Sequence, residues 1–444
     1  MKLPSGLLAV LILLSTLDFL CAESLPPKVW PSDHSSNICT DTSLCLTFDS
    51  VPVLTHSGKI FVVREQDGKE TDVVDLALPD FTDMIGGKIF RLAPITIDGN
   101  SLTIRLHGHV LKPSSTYRII IEPAVFSASG GGKPLTWSFT TRGPIPAGRR
   151  ELTVSSDGSG DFCTVQGAID YLPDDNQLPF RIFIRKGRYT GIVYAGQGKN
   201  HICFEGEDRK GTIIEGINNN SLNGNRTGRA LFGIDANDCS VMNLTVHNTT
   251  PYKGSQAEAL RINGDRCILR NDDFLSYQDT LQLNGRIYLS HCDIQGDVDF
   301  IWGEGTAFFD SCKLEALHDG YYVQSRNPDG KQGYVFLNCS LTLSPGVEKC
   351  WLARIEAERF PFSSVAYINC EMGPQVPVQG WDAKGTNTSH LKFEEFHSTD
   401  LMGRPLDVTQ RVSCSKQLSE DEAVKLSDPK IVLSKFDLWD PLKP

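Results

Sequence analysis

Two aspartates set the chemistry open to this chain. Asp279 lies in Gln278-Asp279-Thr280 and Asp299 in Gly296-Asp297-Val298-Asp299-Phe300, both among apolar and aromatic residues and 20 positions apart. In a parallel coil that advances one strand spacing per turn, residues so spaced sit on neighbouring rungs in one column, with carboxyl groups about 5 Å apart. Two carboxyls that close do not both ionise freely, so one keeps its proton near neutral pH. A single residue type then supplies both an acid and a nucleophile.

Further polar residues keep a similar step. Gln256, Gln278, Asp299, Arg326 and Arg354 follow one another at intervals of 22, 21, 27 and 28 residues. One polar side chain per coil, all in one column, would build a cleft along the flank of a solenoid. Taken singly, an Asp in a turn is usually a cap, and a Gln or Arg in a rung is usually solvated or half of an ion pair. The spaced aspartate pair is what argues for a site. Arg326 reads equally well as structural or as part of a substrate rim.

The elements that must hold such a column are short strands. Six cysteines recur in one sequence context, Cys239, Cys267, Cys292, Cys312, Cys339 and Cys370, at intervals of 28, 25, 20, 27 and 31 residues. That internal repeat has the length of one solenoid coil. Neither a CxxC pair nor a His partner accompanies them, so they are expected to form a column of small buried side chains and to ligate no metal. Short runs of Val, Ile, Thr and Phe between turn residues make the whole chain read as all-β.

At 444 residues the chain is long enough for two domains with cores of their own. Its net charge of −11 argues against nucleic-acid and anionic-membrane partners. Residues 1–22 read as a secretory signal: Lys2, an apolar run from Leu7 to Leu14, and small residues by Ala22. The run falls short of the roughly 20 residues that span a bilayer, so the mature chain is expected to be secreted and soluble, as a monomer. In an oxidising compartment the neighbours Cys39 and Cys45 are candidates to pair.

Residues 23–145 alternate strands and turns, as in Leu44 to Phe48, Gly58 to Val63 and Ser101 to Leu106, and are expected to form a small antiparallel sandwich. The stretch Leu111 to Thr141 resembles the Ig-like domains appended to bacterial secreted proteins, which implies a spacer or wall-binding module. Gly143 to Gly148 reads as a linker, and residues 146–444 as the second domain. Its loop Asp157 to Phe162 is Gly-rich but lacks the GxGxxG and P-loop spacings. After it, Thr164 is a plausible N-cap for a short helix with Val165, Ala168, Ile169 and Leu172 on its apolar face, suited to closing the end of a solenoid. Near the C-terminus, Ser419 to Glu422 has the capping-box spacing for a helix covering the far end.

Several segments of the second domain resemble the pectin methylesterase family. They are DGSGDFCTVQGAIDYLP, RIFIRKGRY, SQAEALRINGDRC, YQDTL, GDVDFIWG and QSRNPDGKQGYVFLNC, then QGW at Gln379 to Trp381, FEEFHSTDLMGRPLD and FDLWDP. The likeness runs from about Glu151 to the C-terminus, and YQDTL with GDVDFIWG is its most specific part. It implies a right-handed single-stranded parallel β-helix that hydrolyses methyl esters of homogalacturonan, with no metal or organic cofactor. Residue by residue, Asp299 matches the nucleophile, Asp279 the general acid/base, Gln278 and Gln256 the oxyanion-stabilising amides, and Arg354 the arginine that holds the nucleophile. Trp302, Trp381, Val298 and Arg326 are the candidates for substrate contact.

The sequence also departs from the family. Glu356 stands where a tryptophan is usual, and Gln282 where a tyrosine commonly follows the QDTL motif. Gly191 replaces a usual glutamate. The catalytic set is complete while the groove is altered, so two rival readings stay open: a non-catalytic polysaccharide-binding β-helix, and an esterase or thioesterase on another acyl substrate. A lyase on the same solenoid would want calcium-binding carboxylate clusters and a basic Lys or Arg. Among the six Asn-x-Ser/Thr sites, Asn225 and Asn387 lie in loop-like stretches suited to glycans, whereas Asn243 and Asn338 are expected to be buried in strand repeats.

Overall fold

The computed structural model of the chain describes residues 26–78, 81–126, 132–225, 228–434 and 437–443. The expected signal segment lies outside the described residues. From Glu151 onward, an 11-stranded sheet and a 15-stranded sheet wind together as a parallel β-helix. Each coil contributes one strand to the first sheet and two to the second. Cys267–Arg270, Asp273–Leu275 and Leu281–Leu283 make one such coil. The second sheet is two ladders that fuse where the long strands Asp293–Gly303 and Lys313–Ser325 run round the corner between them.

A repeated turn explains why the coils stack. Leaving the 11-stranded sheet, the chain places one residue per coil in the left-handed region: Asn243, Asn271, His291, Ser311, Asn338, Asn369 and His397, with φ between 51° and 59°. Four of these seven residues are Asn, which tolerates that conformation better than most side chains. From Asn243 to Asn369 each backbone N–H in this row donates to the next coil, as Asn271 does to Ser290 and Asn338 to Ile368, both at 3.0 Å. Asn243 and Asn338 are therefore turn residues, and Asn338 is exposed, contrary to the buried strand positions expected for them.

The repeat cysteines are buried as expected, but they form two columns. Strand register aligns Cys239 with Cys267 ahead of the 11-stranded sheet. It aligns Cys292, Cys312, Cys339 and Cys370 behind that sheet. The step of 25 between Cys267 and Cys292 crosses from one column to the other. Within the second column the Cys312 N–H meets the Cys339 sulfur at 3.4 Å. Inside the coil aromatic rings also stack rung on rung, Phe309 on Phe336 at 4.3 Å and Phe336 on Tyr367 at 4.6 Å. Such pairs add about 0.5–1.5 kcal/mol each beyond the area they bury.

The Val165–Tyr171 helix closes the first coil, with Thr164 Oγ1 accepting the Gly167 N–H at 3.0 Å and Val165, Ala168 and Ile169 buried. The Glu420–Leu426 helix has its capping box. It does not cover the far end. Leu418, Ala423, Val432 and Leu433 pack on Tyr288, Phe308, Val335 and Ala366, the outward side chains of the 11-stranded sheet, so the tail shields a flank.

Ahead of the β-helix, a four-stranded and a five-stranded sheet enclose one core, with Leu46 and Ile104 from the first meeting Val62 and Ile119 from the second. Most pairs are antiparallel, although Ser35–Ile38 joins Leu135–Thr141 in parallel. This sandwich is docked on the β-helix. Asp41 accepts from the Thr164 N–H and Oγ1, both at 2.7 Å, and Arg142 donates to the Gly158 and Asn37 carbonyls. A hairpin of Phe81–Ile85 and Lys88–Leu92 sets Ile85 and Phe90 against Ile192 and Tyr194. The Gly-rich loop therefore belongs to this seam. Cys39 and Cys45 do not pair: the Cys39 thiol faces the Gly158 and Gly160 carbonyls, and Cys45 sits beside Thr103.

Candidate active site

Asp279 and Asp299 occupy equivalent places on successive coils, at the corner between the two ladders of the larger sheet. Leu281 pairs with Ile301 and Gln282 with Trp302, so the 20-residue offset holds locally and sets Asp279 opposite Asp299. The Asp279 N–H donates to the Val298 carbonyl at 3.1 Å. Both aspartates have positive φ, 68° and 52°, a conformation that Asp adopts more readily than most residues. For Asp299 it coincides with a register shift between Val298 and Ile301 in the Asp293–Gly303 strand. Backbone outliers of this sort concentrate where side chains are aimed for chemistry.

The two carboxyls have different partners. Asp299 receives both arms of Arg354, Nε to Oδ1 at 2.8 Å and Nη2 to Oδ2, a bidentate pair that fixes the carboxylate plane. Burial raises its proton affinity, and Arg354 opposes that rise. Asp279 is pushed up to about 8, first by burial, then by the charge of Glu258; Arg229 pulls the other way and Asp299 adds to the rise. The pair therefore offers one carboxyl that holds its proton up to about 8 and one fixed in a bidentate arginine clamp.

Sequence spacing did not reveal Arg229 and Glu258. Arg229 is buried, with Nε and Nη2 each 2.7 Å from Glu258 Oε1 and Nη2 2.5 Å from Asp279 Oδ2. Glu258 is fully buried, and its Oε2 has no partner among the described residues. Leu260 pairs with Leu281, which puts Glu258 one coil before Asp279 in the column that continues to Asp299. The steps of 21 and 20 residues were available in the sequence. A lone Glu in an apolar run carries little signal without its arginine.

The five residues expected in one column do not share one. Arg354 lies in register with Gln324, Trp302 and Gln282 through successive pairs, beside the aspartate column. Arg326 lies beyond the end of the Lys313–Ser325 strand, its guanidinium bound to Gln324 and 4.5 Å from the Trp302 ring. Gln256 and Gln278 are half-buried on adjacent coils, tied where the Ala257 N–H donates to the Gln278 carbonyl at 3.1 Å. Side-chain reach across columns, more than a shared column, brings Arg354 to Asp299.

The groove differs from the expectation at its tryptophans. Trp381 is 1% exposed, stacked on Phe393 at 4.6 Å with its indole N–H directed to Glu395, so it belongs to the core and offers no sugar platform. Trp302 is also buried, lying between Arg229 and Arg326. Val298 is half-buried beside the pair, and Glu356 is exposed. Accessible aromatic surface comes instead from Tyr252, 42% exposed and stacked on His318 at 3.7 Å, with Tyr277 beside them. His318 also reaches Asp297 at 3.4 Å.

A parallel β-helix carrying an acid and an arginine-held carboxylate at one corner has the features of a β-helical hydrolase. The model of the family described as Pectinesterase matches residues 151–432, and the chain belongs to that family. It is 33% identical over 287 residues to Pectinesterase 31 of Arabidopsis thaliana, covering 62% of this chain and 89% of that protein. It is 28% identical over 344 residues to Pectinesterase 2 of Olea europaea, covering 74% and 86%. Its fold is similar to pectin methylesterase from carrot, with a TM-score of 0.58 at 23% identity over 65% of this chain and 94% of that one. A pectin methylesterase solved in complex with a hexasaccharide aligns with a TM-score of 0.54 at 23% identity, over 66% and 98%.

Proposed function

We propose that this chain hydrolyses the methyl esters of homogalacturonan, giving pectate and methanol, through an aspartyl acyl-enzyme formed outside the cell. The observation that carries this is the division of labour at the corner: Asp299 clamped by Arg354 and Asp279 holding a proton one coil away. Asp299 attacks the ester carbonyl carbon. The developing oxyanion is stabilised by the side-chain amides of Gln256 and Gln278, neutral donors that add no charge to retain an anionic product. As the tetrahedral intermediate collapses, Asp279 gives its proton to the departing methoxide and methanol leaves. A mixed anhydride on Asp299 remains. Water, deprotonated by Asp279, opens it and restores both carboxyls.

The substrate is a polysaccharide of acidic and esterified sugars, consistent with the oligosaccharide held by one structural relative. Tyr252, Tyr277 and His318 are the rings best placed to meet sugar faces beside the aspartates. The N-terminal sandwich, read as an Ig-like module, acts as a spacer or wall-binding domain. The decisive assay is methanol released from esterified pectin by wild type and by Asp299→Ala, run beside simple acyl esters and acyl thioesters. Release from pectin by wild type alone supports the reading. Preference for the small esters, or activity surviving in Asp299→Ala, would reject it.

A further inference from the structure

Resting on this esterase reading, we propose that Glu258 and Arg229 form a counter-ion pair that holds the proton on Asp279, making both of them positioning residues for the acid step. A guanidinium stays charged throughout the range an enzyme meets. Left alone at 2.5 Å from Asp279, Arg229 would favour the carboxylate and strip the acid of its proton. An Asp279 without its proton cannot protonate methoxide. Glu258 answers that difficulty: its Oε1 accepts from Nε of the same guanidinium and lies 2.7 Å from Nη2, an ion pair that neutralises the cation locally.

The charge count then decides where the proton resides. One arginine stands between two buried carboxyls, so one of the two must stay protonated. Glu258 takes two contacts from Arg229 and Asp279 takes one. Asp279 also faces the carboxylate of Asp299 on the next coil. Of the other cations, Arg354 is paired with Asp299, and Arg326, hydrogen-bonded to the neutral Gln324 amide, opposes the rise at Asp279 less than burial and the neighbouring carboxylates promote it. Burial raises the proton affinity of both carboxyls, and the double contact with Arg229 is what places the negative charge on Glu258 and leaves the proton on Asp279. The Trp302 ring, 5.2 Å from the Arg229 guanidinium, covers the pair and limits screening by water.

The test is the pH dependence of kcat/KM for methanol release from pectin. The alkaline limb in wild type reports loss of the Asp279 proton. Glu258→Gln leaves Arg229 uncompensated, so that limb moves to lower pH by about one unit or more, tenfold in the ionisation constant. The double variant Arg229→Gln/Glu258→Gln removes the charges together and moves the limb back toward wild type. An unchanged alkaline limb in folded Glu258→Gln overturns the proposal. Should that variant not fold, infrared difference spectra of wild type against Asp279→Asn decide the matter from about pH 6 to about pH 9. A protonated-carboxyl band that titrates away across this range is expected, and its absence at the acid end overturns the proposal. If wild type released no methanol, the esterase reading would fail while the infrared result still judged the proton.

Discussion

The cysteine column and the aspartate column are built by the same device and do opposite things. Cys292, Cys312, Cys339 and Cys370 stack on successive coils behind one sheet, and Glu258, Asp279 and Asp299 stack at a corner of the other. All seven side chains are nearly or fully buried. A thiol at such a site stays neutral, packs as a small hydrophobe and needs no partner beyond a nearby carbonyl. A carboxyl at such a site needs a cation or a proton. Arg354 supplies the first to Asp299, and the crowding of Glu258, Asp279 and Arg229 supplies the second to Asp279. Stacking is indifferent to residue type; chemistry begins where stacking forces like charges together.

Changes in the two columns should therefore separate cleanly. Asp299→Ala removes the nucleophile and is expected to lower methanol release at least about 1,000-fold while the thermal unfolding midpoint holds. Gln278→Ala, deleting one oxyanion donor, should lower kcat about 100-fold with a smaller change in KM. Arg354→Ala removes what opposes burial at Asp299, so the acid limb of kcat/KM should move to higher pH.

Asp279→Asn should abolish turnover yet stabilise the fold, increasingly so as pH rises from about 5 to about 8. The sign follows from Asp279 binding its proton up to about 8 when folded but only near 3.8 when unfolded, so wild-type stability falls across that window. Differential scanning calorimetry at several pH values checks it. In the thiol column, Cys339→Ala should cost about 1 kcal/mol by leaving a small void, and methanol release should not change. A loss of activity there would break the contrast between the columns.

Much of this was legible beforehand because a solenoid writes its geometry as a period. The parallel coil, the burial of the repeat cysteines, the helix on Thr164 and the register of Asp279 against Asp299 all follow from spacing and side-chain type. The errors have a common cause. A spacing near one coil length does not say which corner of the coil a residue occupies. That is why six cysteines split into two columns, why Arg354 proved to be a neighbour of the aspartate column, and why Asn338 is an exposed turn residue. Trp381 lies in the core and the C-terminal helices on a flank for a related reason: inside and outside of a strand alternate, and sequence position alone does not tell which side faces the groove or which flank a tail covers.

Residue types and their order determined that acids, amides and an arginine would recur at coil-length intervals within a β chain. Only the folded arrangement decided that Arg229, 50 positions before Asp279, would lie against it with Glu258 as counter-ion. Strand pairing is set by short-range periodicity, whereas the state of a buried proton depends on every charge within a few ångströms, whatever its distance along the chain.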